Sequence, residues 1–144
     1  PQVKYVKDSS ANISQLNTLI TDHSAEITAF NGEDVLMLPA LALGAAGMVM
    51  GSANFMGPAL RKLHDASLKR DDAKVVSLWR TINPVIRALG NASYNSGVKA
   101  ACEILGLKVG GVRAPIRPLS PEHHKALGAT LAAVDPSLLT SRTK

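Results

Sequence analysis

Residues 3–7, Val3-Lys4-Tyr5-Val6-Lys7, alternate with a period of two, so Val3, Tyr5 and Lys7 share one face of a strand and Lys4 and Val6 the other. Asp8-Ser9-Ser10 is turn and capping chemistry. Residues 12–22 carry Ile13, Leu16, Leu19 and Ile20 at helical spacing, with Asn12 as the cap. A second strand is expected over 27–30 and a turn over Asn31-Gly32-Glu33-Asp34. A helix follows over 36–43, with Pro39 in its first turn or kinking it and Gly44 ending it. Residues 47–51 form a uniformly apolar third strand, as a strand buried on both faces requires, and Pro58 opens a helix to about Lys69.

Strand and helix thus alternate three times, which implies parallel strands joined by right-handed crossovers. Three strands with apolar faces need further strands on at least one edge. After Arg70 the pattern becomes purely helical. Asp71-Asp72 caps a helix that Pro84 should kink and Gly90 should stop. A shorter helix is expected over 98–105, stopped by Gly106, and an extended stretch over 113–118. Ser120-Pro121-Glu122 starts a last helix running to about Val134, and residues 140–144 are expected to fray. The division expected is 1–70 for three strand–helix units and 71–144 for a helical region.

Composition narrows the function classes. Of 144 residues 46% are hydrophobic and only 3% aromatic, so a core of Ala, Leu, Val, Ile and Met is expected in an α/β fold. The net charge of +5 is spread along the chain, broken at Asp65, Asp71 and Asp72, and is not interleaved with aromatics. That argues for a solvated helical face over a nucleic-acid surface. The uncharged run 35–60 is punctuated by Pro39, Gly44, Gly47, Gly51, Gly57 and Pro58, which fits two short elements better than a membrane span. The single Cys102 sits in an apolar stretch and reads as packing; no disulfide forms within the chain, which suits a reducing cytoplasm. His123-His124 lacks the supporting ligands of a metal site. No signal peptide and no initiator Met head the chain, and the expectation is that something upstream is missing.

Three segments, in this order and spacing, resemble the dihydrodipicolinate synthase / N-acetylneuraminate lyase family. They are Val3-Lys4-Tyr5-Val6-Lys7-Asp8-Ser9-Ser10; Phe30-Asn31-Gly32-Glu33-Asp34 with the Leu38-Pro39-Ala40-Leu41-Ala42-Leu43-Gly44-Ala45-Ala46-Gly47 stretch after it; and Val112-Arg113-Ala114-Pro115-Ile116-Arg117-Pro118-Leu119. The likeness runs over about residues 1 to 134. It implies the last three βα units of a (β/α)8 TIM barrel plus a C-terminal helical region. A complete barrel takes about 250 residues, so the first five units are expected to come from elsewhere.

The resemblance also implies a chemistry. Family members attack the ketone of pyruvate or another 2-oxo acid with a lysine amine, and the iminium so formed is an electron sink for making or breaking the adjacent bond. The attacking amine is neutral, so the site must favour the uncharged form by desolvation or nearby cations. Lys7 ends its strand, where barrel enzymes keep their chemistry. Alternation alone would leave Lys7 an ordinary solvated lysine; the resemblance makes it the expected catalytic residue, with Lys4, on the opposite face, as internal control. Gly32 is implied near the bound keto acid, or is simply a turn glycine. Val49 is implied to bring its carbonyl to the substrate, or is simply core. Ser9 and Ser10 either cap the next helix or donate hydrogen bonds at the site. No cofactor and no metal are expected. The expected partners are pyruvate or another 2-oxo acid, an aldehyde, the N-terminal half of the barrel and further copies, commonly as a homotetramer.

The hydroxyl-rich loop and the tyrosine that serve the family's chemistry lie in the other half, so this chain alone is expected to be inactive. A dihydrodipicolinate synthase-like lyase is the first reading. A 2-keto-3-deoxy sugar-acid aldolase or dehydratase is the second, and a non-catalytic half-barrel module the third.

Overall fold

The structure is a computed structural model that describes residues 2–90 and 93–140. The chain forms two compact units, Pro1–Met50 and Gly51–Lys144.

The first unit is built from β1 (Tyr5–Asp8), α1 (Ile13–Thr21), β2 (Thr28–Asn31), a single 3-10 turn (Asp34–Leu36), α2 (Met37–Leu43) and β3 (Gly47–Met48). The strands form one parallel sheet in the order β1-β2-β3. Tyr5 to Asp8 pair with Thr28 to Asn31, and Phe30 and Asn31 with Gly47 and Met48. Parallel neighbours need a crossover, and α1 and α2 supply it. Asn12 caps α1, its carboxamide accepting the N–H groups of Ser14 at 3.0 Å and Gln15 at 3.2 Å. Such a cap stabilises a helix by about 1 kcal/mol. Leu16 of α1 is 1% exposed, and burying a leucine contributes about 1.5–3 kcal/mol. Gly44 ends α2 with φ +92°, a conformation glycine adopts at little cost. β3 is shorter than the five residues expected, because only Gly47 and Met48 find ladder partners on β2.

The sheet has unequal faces. Asp8, Ala29 and Asn31 are buried on the face against which α1 packs. The face of Val3, Tyr5, Lys7 and Val49 is exposed, with Val3 and Tyr5 both 66% open. The Tyr5 and Phe30 rings meet there at 6.3 Å, and Phe30 lies against Gly47.

The second unit is helical: α3 (Ala53–Leu68), α4 (Asp72–Gly90), α5 (Tyr94–Ile104), α6 (Pro121–Ala132) and a closing 3-10 turn (Pro136–Leu138). α3 begins before Pro58, which was expected to open it. Met56 breaks the helical dihedrals (φ −121°, ψ 22°), so Pro58 opens only the longer, second part. That is where a residue without an N–H does least harm. α4 runs unbroken through Pro84 to Gly90. The Asp71 carboxylate accepts the Lys74 N–H at 3.1 Å, as an N-cap does.

α5 starts at Tyr94, four residues before the expected Val98. Polar Asn95, Ser96 and Gly97 hide its first turn in the sequence, yet Ser96 donates to the Arg117 carbonyl at 2.6 Å and Gly97 packs on Leu89. The stretch 113–118 is not simply extended. A turn closed by the Ile116 N–H on the Arg113 carbonyl interrupts it, with a cis Ala114–Pro115 bond. Ser120 caps α6 through the His123 N–H, as expected. The expected fraying over 140–144 lies, apart from Thr140, outside the described residues; the Thr140 N–H itself donates to the Phe55 carbonyl at 2.8 Å.

Candidate active site

Lys7, Gly32 and Val49 all fall at the carboxyl ends of the three strands. Lys7 is the penultimate residue of β1, Gly32 directly follows β2, and Val49 directly follows β3. The ladder continues one step past the paired residues. The Gly32 N–H donates to the Asp8 carbonyl at 2.7 Å, and the Val49 N–H donates to the Asn31 carbonyl at 2.9 Å. These two bonds tie the residues after β2 and β3 to the last residues of β1 and β2.

The side chain of Lys7 lies over Gly32. A β-carbon placed on Gly32 would collide with Lys7 Cε and Ser9 Oγ, and would stand 2.9 Å from the Asp8 carbonyl oxygen. Gly32 does not have a positive φ, so glycine is needed there for close approach and not for turn geometry. The fixed neighbour is the Asp8 carbonyl oxygen; the Lys7 stem, flexible and exposed, lies over the same spot. Ser9 Oγ also stands 3.5 Å from the Gly32 carbonyl oxygen, at the outer limit of a hydrogen bond. Ser10 acts as a local cap, its hydroxyl accepting the Asn12 N–H at 3.1 Å.

Lys7 is exposed, on the open face of the sheet. Lys4, two residues from Val6 on the other face, is exposed as well. Val49 is 51% exposed, so its side chain is not core in this chain. The arrangement gives an amine at a strand end, a glycine floor under its stem and a hydroxyl at its side. A carbonyl compound can reach that amine from the open face.

Two buried polar residues beside these lie in stretches whose sequence marks only turns. Asp8 is 7% exposed and Asn31 0%. The Asp8 carboxylate accepts the Ser10 N–H at 2.9 Å and the Gln15 side-chain amide at 3.2 Å. Asn31 accepts the Glu33 N–H at 3.1 Å and donates to the Glu33 carbonyl at 2.7 Å. The available signal was their position: an Asx residue at the last place of a strand, on the face opposite to Lys7.

Elsewhere the chemistry is sparse. Among the described residues, no group of three or more His, Cys, Asp and Glu could hold a metal ion, and no helix is long and apolar enough to cross a membrane. Cys102 is buried, and that burial pushes its thiol above the ordinary range, which suits packing and not nucleophilic work. The helical unit holds a cavity of about 600 Å³ beside Tyr94, Val98, Cys102 and Pro115.

Comparison with known proteins matches residues 1–134 to the family model described as the dihydrodipicolinate synthetase family. The chain is 31% identical over 134 residues to a 4-hydroxy-tetrahydrodipicolinate synthase of Parasynechococcus marenigrum, covering 93% of this chain and 44% of that protein. A crystal structure of a dihydrodipicolinate synthase from Bacillus anthracis superposes with a TM-score of 0.86 at 26% identity, over 94% of this chain and 46% of that one. KD(P)GA of T. tenax superposes at 0.78, also at 26% identity, over 90% of this chain and 45% of its own. The chain thus spans less than half the length of the relatives it matches. Its three parallel strands and following helices are the last βα units of a TIM barrel with the helical region that succeeds them.

Proposed function

Because the chain belongs to the dihydrodipicolinate synthetase family, we propose that it supplies the Schiff-base edge of a lyase acting on pyruvate or a related 2-oxo acid, in the manner of a 4-hydroxy-tetrahydrodipicolinate synthase. Residues 1–70 contribute the last three strand–helix units and residues 71–144 the helical region; the remaining strands of the barrel complete the site. The observation that carries this reading is the Lys7 side chain laid over Gly32 at the carboxyl end of a parallel sheet.

The neutral amine of Lys7 adds to the C2 ketone of the keto acid; the carbinolamine takes up a proton from solvent and expels its oxygen as water, giving an iminium. The iminium draws electrons from C3, which loses a proton and becomes the nucleophile toward an aldehyde, or which releases an aldehyde in the reverse sense. Gly32 leaves room for the lysine stem, and the peptide after β3, at Val49, lines the same row of strand ends. The open face, with Tyr5 and Val49 exposed, becomes the wall of the cavity once the other strands cover it. Covering that face also shuts bulk water away from the amine. The chain on its own lacks both effects and is inactive.

The test is pyruvate trapping with borohydride in the complete barrel, read by peptide mass spectrometry. A stable adduct on the peptide carrying Lys7 is expected, abolished by Lys7→Ala and unaffected by Lys4→Ala. An adduct that survives Lys7→Ala, or none in the unsubstituted protein, sinks the reading. The likeness to KD(P)GA supports a second choice of substrate, a 2-keto-3-deoxy sugar acid; product formation from pyruvate with aspartate semialdehyde or with a sugar aldehyde separates the two.

A further inference from the structure

β1 and β2 end in the same device. Asp8 is the last residue of β1 and Asn31 the last of β2, and the two are register partners across the ladder. Each is buried. Each side chain accepts the backbone N–H two residues ahead, Asp8 from Ser10 and Asn31 from Glu33. This Asx turn fixes the path of the one residue it spans. The residues spanned are Ser9 and Gly32: Ser9 Oγ stands 3.5 Å from the Gly32 carbonyl oxygen, and a β-carbon on Gly32 would meet both Ser9 Oγ and Lys7 Cε.

Both clamps are secured a second time. Gln15 of α1 donates its side-chain amide to the Asp8 carboxylate, tying the turn to the helix behind the sheet. Asn31 also donates to the Glu33 carbonyl. The Gly32 N–H then joins the two turns through the Asp8 carbonyl at 2.7 Å. A single Asx turn at a strand end is ordinary. Here two stand side by side and are bonded to each other, and the residues they fix lie under one lysine.

We infer that Asp8 and Asn31 are positioning residues for Lys7: from the helix-covered face they hold the floor that sets where its amine stands on the open face. This rests on the lyase reading given above. Neither side chain shares the lysine's face, so each acts through backbone geometry and not as an acid or base on the substrate. A nucleophile displaced by about 1 Å loses on the order of a hundredfold in rate, so a loosened floor weakens chemistry more than binding.

The experiment measures the rate of pyruvate trapping in the complete barrel and, separately, the NMR signals of dimethylated Lys7 and Lys4. Asp8→Ala and Asn31→Ala should each slow trapping about tenfold or more with a smaller change in pyruvate KM. Asp8→Asn keeps an acceptor for the Ser10 N–H and should restore most of the rate. The Ala variants should also move the Lys7 signal toward that of solvated Lys4. Leu16→Ala, a destabilising change in α1, should alter neither readout in the folded protein. Trapping within about twofold of the unsubstituted protein in both Ala variants, or an Asp8→Asn variant as slow as Asp8→Ala, overturns the inference. If the unsubstituted protein traps nothing, the lyase reading fails by itself. The Lys7 signal then decides whether the clamps position this lysine: a signal unmoved by both Ala variants rejects it.

Discussion

In the helical unit Phe55, Leu63, Ile82 and Leu89 are fully buried, whereas on the sheet unit Val3 and Tyr5 keep two-thirds of their surface open and Val49 half. The sheet unit satisfies its backbone through the parallel ladder and covers one face with helices. Its other face is left to solvent, and that face carries the lysine. The deeply buried apolar core and the exposed candidate lysine therefore lie in different regions. Helices can bury an apolar stripe among themselves. A parallel sheet has two apolar faces to cover, and a barrel covers the inner one only when it closes.

The sharpest way to break this contrast is a pair of aromatic truncations. Phe55→Ala should cost about 3–5 kcal/mol, as expected for deleting a fully buried ring. Tyr5→Ala should cost less than about 0.5 kcal/mol in the chain alone, since its ring is exposed. The same Tyr5→Ala should lower affinity for the strands that complete the barrel, by more than about 1 kcal/mol if the ring sits at the centre of that interface. Urea unfolding measures the first two and titration with the complementary half the third. A large loss for Tyr5→Ala in the chain alone would mean that the open face already contributes to folding.

Much of the sheet unit was legible in the sequence because its signals are local. Alternation over residues 3–7, the Asn12 cap and Gly44 each act within a few residues, and the structure has the strand, the cap and the helix stop. The helical unit was less legible because its boundaries depend on distant partners. α5 begins with Tyr94 and not Val98, since the Tyr94 hydroxyl accepts the Gly51 N–H and Ser96 holds the Arg117 carbonyl. No periodicity in residues 94–97 records either bond. At the candidate site, Lys7 and Gly32 were named from the family likeness, and the structure brings them into contact. Asp8 and Asn31 stand in the same segments, but no pattern marks them as more than turn formers, because a side chain bonded to backbone N–H groups on the covered face looks like any other Asx turn.

Two helix ends, one in each unit, compare the same backbone geometry with and without a side chain. Gly44 ends α2 at φ +92° and Arg70 follows α3 at φ +56°. The Arg70 turn is fully bonded, with its own N–H on the Ser67 carbonyl and the Asp71 N–H on the Ala66 carbonyl, the Schellman pattern. Arginine there carries the steric cost of the left-handed region, about 1 kcal/mol. Gly44→Ala should therefore destabilise by about 1 kcal/mol and Arg70→Gly should stabilise by a similar or smaller amount. Thermal melting of the two variants checks both signs. A stabilising Gly44→Ala would show that α2 ends by some other means.

The smallest expected effect tests whether surface charge adds to the helical unit's advantage. In α3 the Arg61 guanidinium Nε stands 2.9 Å from both carboxylate oxygens of Asp65 one turn on. The Arg61 hydrogen bond holds the Asp65 carboxyl below its ordinary range. A carboxyl lowered in the folded state binds its proton less readily than in the unfolded chain. Its contribution is thus present above the ordinary carboxylate range and is lost as pH falls through the lowered value. The pair is exposed, so the gain is small and salt-screened. The melting difference between the unsubstituted protein and Arg61→Ala should be largest near neutrality in low salt. It should shrink as the pH falls below the carboxylate range and shrink again with added salt. A difference that stays constant across that range would mean that Arg61 stabilises α3 through its methylene stem packing on the helix, and that the helical unit owes its stability to burial alone.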